Sequence, residues 1–148
     1  LYEHSIEVQL PFLQYVLKTR FEFVPICMMM QDLETSTEVG KAVGEALEGK
    51  DAIVIASSDM THYEPADVAK RKDDLAIDAI LALDDAKLQE TVESHRITMC
   101  GHGPVASMIA ASKMLGAKTV RILGYSTSGD ITGDHGAVVG YLAASIHK

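Results

Sequence analysis

"DAIVIASSDMTHYEP", Asp51 to Pro65, is the stretch on which the fold turns. Its first half is apolar and rich in β-branched residues, and reads as a buried strand over Asp51 to Ser57. From Ser57 to Tyr63 five of seven side chains are polar. An ordinary turn needs only one or two such residues and a glycine. In open α/β sheets ligands collect beyond the carboxyl ends of strands, where loops meet helix N-termini. Ser57, Ser58, Asp59, Thr61 and His62 are therefore expected to face a crevice. A plainer reading stays open, in which Asp59 or Thr61 caps a turn and His62 is a surface histidine.

Outward from this stretch the chain alternates element types. "FEFVPICMM" (Phe21 to Met29), "TVRILGYS" (Thr119 to Ser126) and "AVVGYLAAS" (Ala137 to Ser145) share the short apolar pattern of buried strands. Thr35 with Glu38 is a capping-box pair that opens a helix carrying Val39, Ala42, Val43, Ala46 and Leu47 on one face, with Gly49 as its stop. Ala66 to Leu83 reads as an amphipathic helix, Asp85 to Ser94 as another, and Pro104 suits the first turn of a third that Gly116 closes. Strands separated by helices predict one α/β domain over residues 1–148, with a mixed, largely parallel sheet covered by helices.

Composition narrows the function. The chain has 148 residues, 47% of them hydrophobic and 23% charged, a globular balance able to bury a core. A formal charge of −8 argues against a nucleic-acid binder, whose affinity comes from clustered Lys and Arg. The one basic run, Lys70 to Lys72, is followed at once by Asp73 and Asp74 and reads as a solvated helix face. No run of about 18 apolar residues offers a membrane span, and no basic-then-apolar leader opens the sequence. A cytoplasmic setting is expected. The two cysteines, far apart, do not suggest a disulfide framework.

Chemistry-bearing residues gather at two further junctions. "YEHSIEVQLP" sets Glu3, His4, Ser5 and Glu7 beside an apolar helical pattern, and "ITMCGHGP" sets Cys100 and His102 just before a helix N-terminus, a location that favours the thiolate. Imidazole and thiolate suit iron, copper or zinc, whereas magnesium and calcium prefer oxygen. Position and residue type thus group His4, His62 and Cys100 as ligands. No C-x-x-C or H-E-x-x-H spacing supports the group, so only the fold can bring it together, and structural roles for these residues stay open. Cys27, inside "VPICMMM", reads as a buried apolar thiol with Met28 to Met30 as filler. In "TSGDITGDHGAVVGY" the glycines permit close backbone approach to a ligand, and Asp130 could buttress His4, His62 or His135. A tight turn explains the same residues equally well.

Four blocks in this order, "EHSIEVQLPFLQ", "SSDMTHY", "CGHGPV" and "GYSTSGDITGDHGAVVGY", resemble the Memo family, known in bacteria and archaea as component B of the AmmeMemoRadiSam system. The resemblance implies a fold similar to the class III extradiol dioxygenases, non-haem iron enzymes that cleave catechol-type rings with oxygen. It implies a pocket in which His4 and Cys100 bind metal, Cys100 replacing the dioxygenase carboxylate. His62 then matches the acid/base histidine, with Asp59 beside it, so the resemblance moves His62 from ligand to proton transfer. Iron or copper is the implied ion, with zinc a further candidate.

Members of that family are nearly twice this length, and a further ligand histidine lies upstream of the part matched here. The resemblance therefore implies the C-terminal portion of a longer protein, lacking the N-terminal portion of the family domain. Two functions follow from it: a redox or dioxygenase-like enzyme acting on a small organic substrate, or a non-enzymatic module that holds a peptide or protein in the vestigial pocket. Other components of the AmmeMemoRadiSam system are implied partners; neither nucleic acid nor membrane is.

Overall fold

Helix ends follow the local chemistry of their caps. The structure, a computed structural model, describes residues 4–148, so Glu3 lies outside it. A 3-10 turn, Glu7–Gln9, runs into α1, Leu10–Leu17. The next helix, α2, spans Leu33–Leu47, and its cap is Asp32 rather than Thr35. The Asp32 carboxylate accepts the Thr35 N–H at 2.9 Å and the Thr35 hydroxyl at 2.8 Å, so Thr35 is the capped residue. Three more helices follow: α3, Ala66–Leu81; α4, Asp85–Ser94, capped by Asp84; and α5, His102–Met114. Lys70, Arg71 and Lys72 pair with Asp74, Asp67 and Glu64, the solvated charged face expected of that run.

The sheet differs from expectation. Its strands are β1, His62–Glu64, β2, Thr119–Thr127, and β3, Val138–His147, in the order β1-β3-β2 with both pairings antiparallel. The expected largely parallel sheet is thereby corrected to a small antiparallel one among the described residues. Between β2 and β3 the chain makes only one helical turn, α6, Gly129–Thr132, too short a link for the crossover that parallel neighbours need. Phe21 to Met28 and Asp51 to Ser57 run without helix or strand assignment. Val24 is 84% and Ile53 74% exposed, and Cys27 is exposed rather than buried. Among the described residues no strand pairs with either run.

The core lies where the helices meet one another and the sheet. Ala76, Ile77 and Ile80 of α3, Leu88 and Val92 of α4, and Val105 and Ile109 of α5 form one buried cluster, with Val120, Ile122, Tyr125, Leu142 and Ile146 of the sheet packed on it. The buried face of α2 is Ser36, Gly40 and Gly44, not the expected Val39–Leu47 stripe. A Cβ at Gly40 would stand 2.5 Å from the Ser107 carbonyl oxygen and 2.7 Å from the Ala110 Cβ. Only a side chain of hydrogen lets the backbones of α2 and α5 approach this closely. Among the described residues no helix is long and apolar enough to cross a membrane.

Gly40→Ala is expected to lower stability by about 1–3 kcal/mol in urea unfolding, while Ala42→Ser on the exposed face changes it by less than about 0.5 kcal/mol. The Asp32 cap should also leave a pH signature. Thr35 N–H, then its hydroxyl, holds the Asp32 carboxyl below the ordinary carboxylate range. Its contribution is therefore present above the unfolded-state value and lost as pH falls through the lowered folded one. Asp32→Asn, an uncharged cap, should flatten that part of the acid limb in thermal unfolding.

Candidate metal centre

Two chain segments make the site: the end of the extended run at Ser57–Asp59 with β1, and the turn Cys100–Gly101 that leads into α5. They touch because position 101 is glycine. A Cβ there would lie 2.7 Å from both the Ser57 carbonyl oxygen and the Ser58 Cβ. Ser58 then stitches the two together, its Oγ accepting the Gly101 N–H at 2.8 Å and donating to the Asp59 carbonyl at 2.7 Å. The Cys100 sulfur accepts the Asp59 N–H at 3.2 Å, with Ser58 Oγ 3.8 Å away.

His62 is fixed from the far side. Its backbone N–H donates to Thr98 Oγ1 at 2.7 Å, and its ring Nδ1 lies 2.6 Å from the Thr98 carbonyl oxygen. A carbonyl only accepts, so Nδ1 carries the hydrogen, and in the neutral ring Nε2 presents a lone pair. That lone pair faces Asp59, with Nε2 to Oδ2 at 3.6 Å. A bulge at Tyr63 aids the aim: His62 pairs with Val139 and Glu64 with Val138, leaving Tyr63 as the extra residue at φ 58°.

One ligand atom each from Asp59, His62 and Cys100 lies within 4.8 Å of the other two. Around a small ion bound at about 2.0–2.3 Å, tetrahedral neighbours stand roughly 3.3–3.8 Å apart, so slight contraction closes the group on one centre. His4 lies outside this group. It is exposed at the head of the N-terminal turn, where its carbonyl accepts the Val8 N–H at 3.0 Å. The turn is nonetheless tied to the site, since Gln9 Nε2 donates to Ser57 Oγ at 3.0 Å. Asp130 accepts the Thr127 N–H at 2.7 Å, and Gly133 ends α6 at φ 77°, so the glycine-rich segment is realised as a turn.

Sequence reasoning missed Thr98 and Gln31. Gln31 Nε2 donates to the Cys100 carbonyl at 3.0 Å, while its Oε1 accepts the Gly103 N–H at 2.9 Å, gripping the thiol's turn from outside. No local pattern marks either residue, because both act on partners dozens of positions away. The one available signal was Gly103, where a Cβ would stand 2.8 Å from the Gln31 Cβ.

A family model described as "Memo-like protein" matches residues 1–145. The chain is 54% identical over 143 residues to a MEMO1 family protein of Methanopyrus kandleri, covering 95% of this chain and 50% of that one. It is 50% identical over 149 residues to one of Methanocaldococcus jannaschii, covering 97% and 52%. A third, from Methanosarcina acetivorans, is 50% identical over 144 residues, covering 96% and 54%. The chain thus spans about half the length of the curated relatives it matches.

Gly101→Ala is expected to force the strand end away from the cysteine turn, at a cost of about 1–3 kcal/mol. Amide exchange reads the separation directly: Asp59 N–H, held by the sulfur in the native protein, should lose protection. Unchanged protection would mean the close approach does not set the site.

Proposed function

The chain belongs to the Memo family, and on that premise we propose that it carries a non-haem metal-binding pocket in which Asp59, His62 and Cys100 face one iron or copper ion. The observation supporting this is a convergence of acceptors. A carboxylate oxygen and an imidazole lone pair 3.6 Å apart repel unless a proton or a cation lies between them, and a sulfur completes the group. Nitrogen, oxygen and sulfur donors together suit iron, copper or zinc and disfavour magnesium and calcium. Thr98 completes the usual second support of a ligating histidine by accepting the hydrogen of the other ring nitrogen.

In the fuller reading the pocket belongs to a redox enzyme, dioxygenase-like, acting on a small organic substrate. Bound iron or copper would supply the site's oxygen or electron-transfer chemistry. The chain's own residues would orient that centre: Thr98 fixes the His62 tautomer, and the Asp59 N–H and Ser58 position the sulfur. His4 is the next candidate ligand, its turn anchored to Ser57 through Gln9. Remaining ligands would come from the half of the longer relatives that this chain does not span. The same half would cover the exposed apolar run Phe21 to Met28 and Ile53, making this chain the C-terminal portion of a dioxygenase-like domain.

The test is metal analysis of anaerobically purified protein, alone and joined to the other half of a full-length relative. Iron or copper should copurify near stoichiometrically with the joined protein, and His62→Ala, Cys100→Ser and Asp59→Asn should each lower affinity by tenfold or more, on the order expected when a ligand is lost. Retention of stoichiometric metal by all three variants would remove the proposal and leave the peptide-binding module as the surviving function.

A further inference from the structure

One buried group near the site is used by nothing described so far. Asp73 lies on the inner face of α3 with Ala69, Ala76, Ile77 and Ile80, and it is 0% exposed. A carboxylate there is costly unless it is fully hydrogen-bonded. Among the described residues no Lys, Arg or His forms an ion pair with it. It has two donors instead. Oδ1 accepts the Thr61 N–H at 2.9 Å and Oδ2 accepts the Tyr125 hydroxyl at 2.7 Å. An apolar residue would fill this core position at less cost, so the carboxylate needs a reason.

Thr61 supplies one. It sits between Asp59 and His62, itself 0% exposed. Its carbonyl accepts the Gly140 N–H at 2.9 Å, and the Met60 N–H donates to the Gly140 carbonyl at 2.9 Å. The Thr61 N–H therefore points away from β3 and into the core, where Asp73 receives it. Three other features are arranged around this contact. A Cβ at Gly140 would overlap Asp73 Oδ2 and stand 3.1 Å from Met60 Cβ and the Tyr125 hydroxyl, so β3 carries glycine where the carboxylate reaches through. Burial, then the bond to Asp73, pushes the Tyr125 hydroxyl well above the ordinary phenol range, which keeps it a donor. Lys70 Nζ, also of α3, lies 5.2 Å from the centre of the Tyr125 ring.

We infer that Asp73, held by Tyr125, is a positioning residue that fixes the Met60–Thr61 peptide and so sets the separation of Asp59 from His62, a role that presupposes the metal reading above. The left-handed backbone at Tyr63 makes such an anchor necessary. A non-glycine residue at positive φ persists only where its surroundings over-determine it, and the Asp73–Thr61 bond clamps the chain two residues before the bulge. Neither Asp73 nor Tyr125 is a ligand; both act through the peptide.

Three substitutions and two readouts test this. Asp73→Ala removes the acceptor. Asp73→Asn keeps an oxygen for the Thr61 N–H and turns an amide toward the Tyr125 oxygen, which can accept. Gly40→Ala, remote from the site, destabilises without touching it. Cobalt(II) titration followed by the sulfur-to-cobalt absorption band reads the site, and amide exchange at Thr61 reads the anchor without metal. Asp73→Ala is expected to expose the Thr61 amide and weaken cobalt binding about tenfold or more, Asp73→Asn to restore most of both, and Gly40→Ala to change neither. Wild-type protection and affinity in folded Asp73→Ala would overturn the inference. If that variant does not fold, Tyr125→Phe decides in its place: a looser Thr61 amide and weaker binding support the role, and wild-type values overturn it. Cobalt is titrated into the protein joined to the other half of a full-length relative; should the unsubstituted joined protein bind none, the metal reading fails while the exchange data still decide whether Asp73 anchors the peptide.

Discussion

The site rests on one steric constraint, the missing side chain at Gly101. Because nothing projects there, the strand end at Ser57–Ser58 lies directly against the turn that carries Cys100. Two polar contacts of the site follow from that approach: Ser58 reaches the Gly101 N–H, and the Asp59 N–H reaches the sulfur. A hydrogen bond contributes only about 0.5–1.5 kcal/mol net, so no one of these could pull two loops together. Burial of Val105 and Ile109 of α5 in the core brings the two segments near, and the hydrogen bonds then select one arrangement among those the packing allows. Glycine at 40 and 44 does for the helix pair what glycine at 101 does for the loops.

The helices were largely legible because their determinants are local. Asp85 to Ser94 appears with the bounds its periodicity gave, and Ala66 to Leu83 ends two residues early. The α2 cap was misplaced by three residues, since Asp32 is a better oxygen acceptor for a helix start than Thr35 and both stand at the right spacing to something. Strand content was legible for Thr119 to Ser126 and Ala137 to Ser145, and strand sense was not. Sense depends on the link between β2 and β3, which the sequence leaves open between a ligand-approaching loop and a tight turn and which is a single helical turn. Phe21 to Met28 and Asp51 to Ser57 have the right residues for strands and, among the described residues, no neighbour to pair with; a strand is a property of two segments, and a sequence pattern describes one.

The site was legible in its parts and not in its assembly. Asp59, His62 and Cys100 were marked by residue type at element junctions, and the structure brings them together. His4 was marked in the same way and is not a member of that group. What separates these outcomes is invisible along the chain: Thr98, Gln31 and Asp73 hold their partners across 36, 69 and 12 positions respectively. None has a motif of its own. Asp73 was read with Asp74 as part of a solvated charge run, and the helix turn that separates their side chains sends one to solvent and the other into the core.

That division of labour bears on which metal the proposed pocket favours. Carboxylate and imidazole alone leave the choice among first-row metals open, and affinity then follows the general order that peaks at copper. A thiolate shifts the preference toward softer ions, but the Cys100 sulfur is already engaged by the Asp59 N–H. A donor aimed at sulfur withdraws some charge from it and would make the thiolate a weaker donor to a bound ion. The peptide that supplies this donor is held two residues on by Asp73. In the proposed pocket the buried acid would therefore act on the spacing of Asp59 and His62 and, through the same run of backbone, on the aim of the donor that reaches the sulfur.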